Sequence, residues 1–289
     1  MPSGKRARQQ RQAAATTPPP PVRSKGAGGA RSRQASPRAL AIAGGVALLA
    51  VIAIVLGVVL ASSGGGSKSL PSASDIKGLP NPGNALSPAA LQGAPQANAL
   101  FKGIPQQGLV LGKPTAPVEM EMFIDVQCPI CQGYEVNDLP TVVQKYIRPG
   151  TVQLHLQPWA FLGPQSFTGR LGLIAASFQN KGFEYAKVLY DNQGQEESGW
   201  LDGQEMANIA ASVTGLDLPR WQTDTNGSGV KTIASEVDKA ASKDNVVGTP
   251  TIFVGCLGGK LHDISVPRYA PTLQETEQAI NAAAATCSK

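Results

Sequence analysis

Hydrophobic and polar positions alternate in short, well-separated runs over the C-terminal two-thirds of this chain. Val118, Met120 and Met122 alternate with Glu119 and Glu121, which predicts a half-buried strand from Val118 to Ile124. Val152, Leu154 and Leu156 alternate with Gln153, His155 and Gln157 and predict a second strand. Leu109 to Leu111 reads as a short strand and Thr251 to Val254 as a buried one. A turn over Gly255 to Gly259 leads to a return strand over Lys260 to Ser265. Helical composition recurs near 166–180, 183–192, 202–214 and 228–243, with Asp202 placed to cap the third helix and Gly215 just past its end. A further helix follows the first long strand to about Arg148. Pro140 is expected to kink it and Pro149-Gly150 to end it. The last helix runs from about Thr272 to Thr286. The order is strand, helix, strand, helices, strand, hairpin, helix, in an α/β domain at 101–289 with a helical insertion at about 160–246.

The first hundred residues have another pattern. From Ala39 to Ala61 every residue is Ala, Leu, Ile, Val or Gly, and no charge follows until Lys68. That run exceeds the ~20 residues needed to cross a bilayer core. A cleaved signal peptide has an apolar stretch of ~7–15 residues, so this run is too long for one, and no cysteine follows it to carry a lipid. Residues 39–61 are therefore expected to be an uncleaved transmembrane helix. Residues 62–100, rich in Gly, Ser, Pro, Ala and Asn, read as a flexible linker.

Charge sharpens this division. Nine of the 25 basic residues lie in the first 38 positions, where there is no acid, leaving sixteen against all twenty acidic ones. Residues 1–38 are expected to be a basic, disordered tail, and the basic pI carries no implication of nucleic-acid binding. Pro18 to Pro21 could meet a proline-recognising partner. The positive-inside rule puts the tail in the cytoplasm. Everything after Ser62 is then extracytoplasmic, on a protein held in the cell membrane by a single span.

All four cysteines fall on that outer side, where disulfides persist. Cys128-Pro129-Ile130-Cys131 lies directly after the apolar run Met120 to Val126 and opens the next helix. Two sulfurs three positions apart on a helix can close a short disulfide and open it again. The helix N-terminus favours the thiolate of the first. Cys128 is thus the expected nucleophile, exposed at a strand-to-helix junction, with a pKa below the usual ~8.5. Cys131, deeper on the same face, is the expected resolving thiol. A static bridge closing so short a loop would contribute little stability. Pro129 suits a first helical turn, where its missing N–H is no loss. Ile130 offers neither charge nor hydrogen bond and points to a less extreme oxidant than Cys-Pro-His-Cys.

Cys256 and Cys287 are expected to form a structural disulfide tying the last helix to the hairpin. Closing a loop of about 30 residues would contribute ~3 kcal/mol or more. Two free thiols, or a relay pair exchanging electrons with the first two, are the alternatives. Cysteine spacing does not match a zinc site, and His155 and His262 read as solvated or hydrogen-bonded residues. No metal, phosphate loop, dinucleotide fingerprint or Ser-His-Asp arrangement is indicated. Thr249-Pro250 is either a cis bond or an ordinary trans proline starting a strand.

Several stretches together resemble the thioredoxin fold, and more closely its DsbA-like branch of extracytoplasmic thiol–disulfide oxidoreductases. They are Leu111-Gly112-Lys113-Pro114 with Ala116-Pro117-Val118, Phe123 through Cys131, Leu139-Pro140, Phe183-Glu184-Tyr185, Leu189 through Gln193, and Val247 through Thr251. The resemblance implies a cis Thr249–Pro250 bond, with the Thr249 backbone pairing an extended substrate segment. It implies exported cysteine-containing proteins as substrates, a membrane redox partner, and no bound cofactor. One position departs from the family, which commonly has a buried acid six residues before the first cysteine. Here that residue is Met122, and its neighbour Glu121 should face the other way. The leading expectation is oxidation of exported proteins through Cys128–Cys131. A reductase or isomerase of the same fold, or a non-catalytic binding module using the Thr249-Pro250 edge, are the alternatives.

Overall fold

The computed structural model describes residues 91–265 and 269–287. The basic tail, the apolar run at 39–61 and most of the expected linker lie outside these residues. Among the described residues no helix is long and apolar enough to cross a membrane.

The chain enters through α1 (Ala94–Phe101), then β1 (Gln106–Gln107), β2 (Val110–Leu111) and β3 (Val118–Ile124). Two short helices follow, α2 (Pro129–Asn137) and α3 (Leu139–Val142), with a π turn over Val143–Ile147. After β4 (Val152–Pro158) come the inserted helices α4 (Pro164–Ser177), α5 (Gly182–Asp191), α6 (Gly203–Ser212), α7 (Leu218–Asn226) and α8 (Ser228–Lys243). The chain returns through β5 (Thr251–Cys256), β6 (Leu261–Asp263) and α9 (Leu273–Cys287). The six strands form one sheet in the order β1-β2-β4-β3-β5-β6.

The central pair follows from the sequence pattern. In β3, Val118, Met120 and Met122 are fully buried while Glu119 and Glu121 are half-buried. β4 pairs in parallel with β3, which requires a helical crossover, and α2–α3 supply it. The break between these helices falls at Asp138, so Pro140 sits in a new first turn, where it costs no hydrogen bond. β5 pairs antiparallel to β3. Ile124 aligns with Pro158, and Phe123 with Thr251. The loops after β3, after β4 and before β5 therefore gather at one end of the sheet.

The fold begins earlier than the pattern suggested. Residues 94–100, expected to belong to the linker, form most of α1, whose Ala97 and Phe101 are buried. Phe101 packs on Phe183 with ring centroids 5.9 Å apart. The Arg148 guanidinium caps this helix, donating to the carbonyls of Leu100 at 2.7 Å and Lys102 at 3.0 Å. The helical insertion also contains one helix more than the periodicity indicated. In α7, Asp217 caps the start by accepting from the Arg220 N–H at 3.0 Å. Trp221 is fully buried, and its indole N–H donates to the Gly172 carbonyl at 2.8 Å. A side chain at Gly172 would strike Tyr185 and Met206, so glycine is what lets these helices close.

Candidate active site

Cys128 is the N-cap of α2 and Pro129 its first residue. The Cys131 N–H points to the Cys128 sulfur at 3.4 Å, the role a capping oxygen fills in most helices. Cys131 is fully buried behind it. The two are free thiols in this structure. On the other side, the Thr249–Pro250 bond is cis, and the Thr249 carbonyl oxygen lies 3.3 Å from the Cys128 sulfur. Residues 121 positions apart thus form one site.

This packing splits the two thiols. The Cys128 pKa falls from the ordinary 9.0 to about 6. The main cause is a hydrogen bond from the Cys131 thiol, which outweighs burial. The Thr249 hydroxyl and the N–H groups of Cys131 and Ile130 add to it. Burial first, and then the neighbouring Cys128 sulfur, push Cys131 well above its ordinary value. The Thr249 hydroxyl is close enough to both sulfurs to favour their anions, yet it makes no full hydrogen bond of its own. At neutral pH one sulfur is a thiolate and the other a thiol.

Exposure departs from expectation. Cys128 is only 4% accessible, not openly exposed at its junction. The Thr249–Pro250 loop supplies contact that local sequence does not reveal. The large hydrophobic residues left exposed among the described ones are Ile130, Phe161, Val247 and Tyr269. The first three lie on the loops and helix start that meet at the Cys128 end of the sheet. Exposed apolar side chains at that end suit contact with an apolar segment of a partner.

A buried network that the sequence reading missed holds the loop before Cys128. Asp125 is fully buried. It accepts from the N–H groups of Gln127 at 2.9 Å, Phe161 at 2.8 Å and Leu162 at 3.1 Å, and from the Ser166 hydroxyl at 2.6 Å. Its backbone carbonyl accepts from the Cys128 N–H and from the Tyr190 hydroxyl, each at 2.9 Å. Gln193 donates to the Val126 carbonyl at 3.1 Å, and Gln132 to the Tyr190 carbonyl at 3.0 Å. The stretch Leu189 through Gln193 is thus the brace of the active-site loop. An Asp three residues before a cysteine at a strand end is the local signal that could have exposed this network.

Met122 is fully buried and contributes no acid. Glu121 accepts from Gln157 at 2.7 Å, and burial raises its pKa, with Asp244, Glu119 and His155 as its charged neighbours. His155 lies 2.9 Å from the Gln153 side-chain oxygen and 3.3 Å from Glu119, a hydrogen-bonded strand residue as expected. Among the described residues no cluster of His, Cys, Asp and Glu is arranged to hold a metal ion. Cys256 and Cys287 are joined, with Cα atoms 5.3 Å apart, pinning the end of α9 to β5.

Comparison with known proteins agrees with this geometry. A family model described as thioredoxin matches residues 105–266. The chain is 28% identical over 162 residues to the probable disulfide bond formation protein D of Bacillus cereus, covering 55% of this chain and 74% of that one. The crystal structure of oxidised BdbD from Bacillus subtilis superposes with a TM-score of 0.54 at 20% identity, over 63% of this chain and 97% of that one. That of Wolbachia pipientis alpha-DsbA1 does so with a TM-score of 0.54 at 18% identity, over 66% and 98%. At these identities the two structures speak for the fold alone.

Proposed function

We propose a function from one premise: this chain belongs to the thioredoxin family, within its DsbA-like thiol–disulfide oxidoreductases. Its catalytic pair is Cys128 and Cys131, and it runs as an oxidant of cysteines in exported proteins. A substrate thiolate attacks the Cys128 sulfur of the disulfide, and Cys131 leaves. A second substrate thiolate then attacks the substrate sulfur of the mixed disulfide, and Cys128 leaves as a stable thiolate. The substrate gains a disulfide and the protein two electrons. A membrane redox partner takes those electrons away.

The observation that carries this reading is the contrast between the sulfurs, Cys128 held near pKa 6 and Cys131 well above 9. A low-pKa leaving group favours the reduced protein, so its disulfide is an oxidant. The Thr249 backbone beside Cys128 would pair the substrate in extended form, with the Ile130, Phe161 and Val247 rim beneath it. The relatives' names, disulfide bond formation proteins, agree with this direction. The anchor belongs to the same proposal. Residues 39–61 span the membrane once, residues 1–38 stay in the cytoplasm, and the folded domain works outside.

The deciding measurement is the reduction potential of Cys128–Cys131 against glutathione, with Cys131→Ala used to trap mixed disulfides on Cys128. A potential well above thioredoxin's ~−270 mV supports the oxidant. A value near or below it overturns that direction.

A further inference from the structure

Asp125, Glu135 and Glu184 are the carboxylates buried among the described residues. A lysine stands by each of the last two. Lys187 acts on Glu135 through its charge, and Lys181 donates to Glu184 at 3.2 Å. Asp125 is held by neutral donors instead, the four N–H and O–H groups given above. Burying a carboxylate is costly, and an apolar side chain would fill the same space at less cost. What the carboxylate adds is a second oxygen, with about four acceptor sites in all.

Here both oxygens are used, and the donors come from three segments. Oδ1 accepts from the Gln127 N–H, in the loop before Cys128, and from the Ser166 hydroxyl, in the first turn of α4. Oδ2 accepts from the N–H groups of Phe161 and Leu162, in the loop after β4. A second bridge runs beside it. The Gln127 amide donates to the Ser166 oxygen at 3.1 Å, and its own oxygen accepts from the Glu197 N–H at 3.1 Å.

Asp125 thereby joins two parts of the exchange site. Its main-chain carbonyl holds the Cys128 N–H at 2.9 Å. Its carboxylate fixes the backbone of Phe161, whose side chain is exposed and stacks on Trp159 with ring centroids 4.7 Å apart. Trp159 is tied to the residue before Asp125, its N–H donating to the Ile124 carbonyl at 2.8 Å.

We propose that Asp125 is a positioning residue for substrate selection, holding the exposed Phe161 ring in a fixed place relative to the Cys128 sulfur. A substrate segment with an apolar side chain beside its cysteine is then seated on Phe161 as its thiolate meets Cys128. This rests on the exchange reading above. The carboxylate touches no reacting atom. The groups that lower the Cys128 pKa are the Cys131 thiol, the Thr249 hydroxyl and the N–H groups of Cys131 and Ile130, and none of these is a partner of the carboxylate. Its removal should therefore weaken recognition of an apolar substrate more than the reactivity of the sulfur.

The test compares two reduced substrates on the oxidised full chain in single-turnover experiments. One is a peptide whose two cysteines are flanked by leucines, and the other is dithiothreitol, which has no side chain to seat. Asp125→Asn keeps the shape but offers one oxygen in place of two. It should raise the half-saturating peptide concentration by about tenfold or more, the scale of a displaced positioning contact, with the loss lying there rather than in the limiting rate. The fall in peptide kcat/KM should exceed any fall with dithiothreitol by the same factor. Phe161→Ala should give the same selective loss, and the double variant should lose no more than the larger single one, because both remove one contact. The Cys128 alkylation midpoint in Asp125→Asn should stay where it is in the wild type. If Asp125→Asn does not fold, Ser166→Ala removes one donor from the same carboxylate and should give a smaller selective loss, about threefold. Equal losses with both substrates, or single losses that multiply in the double variant, overturn the assignment and make Asp125 a packing residue. A wild-type protein that oxidises neither substrate would instead sink the exchange reading itself.

Discussion

Cys128 and Cys131 are three residues apart and unbonded, while Cys256 and Cys287 are 31 residues apart and joined. The first pair sits at a helix N-terminus against a cis-proline loop, in a fold that hydrogen bonds hold rigid around it. The second ties a terminal helix to a strand. The contrast teaches that spacing alone does not make a cysteine pair reactive. Environment does, by making one sulfur's anion cheap and its partner's dear.

The sharpest way to break this contrast is to remove the nucleophilic sulfur from the first pair and the bridge from the second. Cys128→Ser should drop disulfide exchange with a model dithiol to background, a loss of at least about a thousandfold, as expected for a missing nucleophile. Cys256→Ser with Cys287→Ser should leave the exchange rate nearly unchanged and lower unfolding stability by ~3–4 kcal/mol, read by urea denaturation. If the double variant slows exchange at full stability, the second pair is a relay and the contrast is lost.

Proton linkage gives a second, smaller separation. In the reduced protein Cys128 is depressed from 9.0 to about 6. Between those values the folded state binds fewer protons than the unfolded one, so this thiol makes the reduced form more stable as pH rises from 6 to 9. The contribution is complete above 9 and is lost as pH falls through 6, with a slope approaching about 1.4 kcal/mol per pH unit inside the window. Subtracting the same titration of reduced Cys128→Ala gives the contribution of Cys128 together with its coupling to Cys131. The Cys256–Cys287 bridge does not titrate and should show no such window. Alkylation of Cys128 should reach half its limiting rate near pH 6. A midpoint near 9 would place it with ordinary thiols.

The two regions were unequally visible in the sequence. The strand Val118–Ile124 and the cysteine motif after it were legible because period-two burial and a helix-opening proline are local signals. So was the cap at Asp202, which accepts from the Glu205 N–H at 2.8 Å. α1 was hidden because its first buried residues, Ala94 and Ala97, lie amid Pro, Gln and Asn, a composition shared with a linker. α7 was hidden because a single buried Trp221 anchors an otherwise polar segment. Around the site, the low exposure of Cys128 and the burial of Glu135 depend on segments far away in sequence. A glutamate on a short helix reads as solvent-facing until α5 is laid over it. Asp125 gave only the local hint of an acid just before the cysteine motif, because most of its partners come from β4's following loop and from α4.

The smallest effect is the most specific to how the site is tuned. The Thr249 hydroxyl is buried without a full hydrogen bond, yet it favours the thiolate at both sulfurs. Thr249→Val keeps the branched shape, the backbone carbonyl near Cys128 and the bond to Pro250, and removes only that dipole. Two opposite signs should follow. The Cys128 alkylation midpoint should rise by up to about one pH unit, the scale of a weak hydrogen bond of ~1 kcal/mol. Stability of the oxidised protein should rise slightly, by about 1 kcal/mol or less, because an unsatisfied buried hydroxyl has gone. A loss of stability with an unmoved midpoint would make Thr249 a packing residue. In that case the tuning of Cys128 would rest on the Cys131 thiol and the helix N–H groups alone.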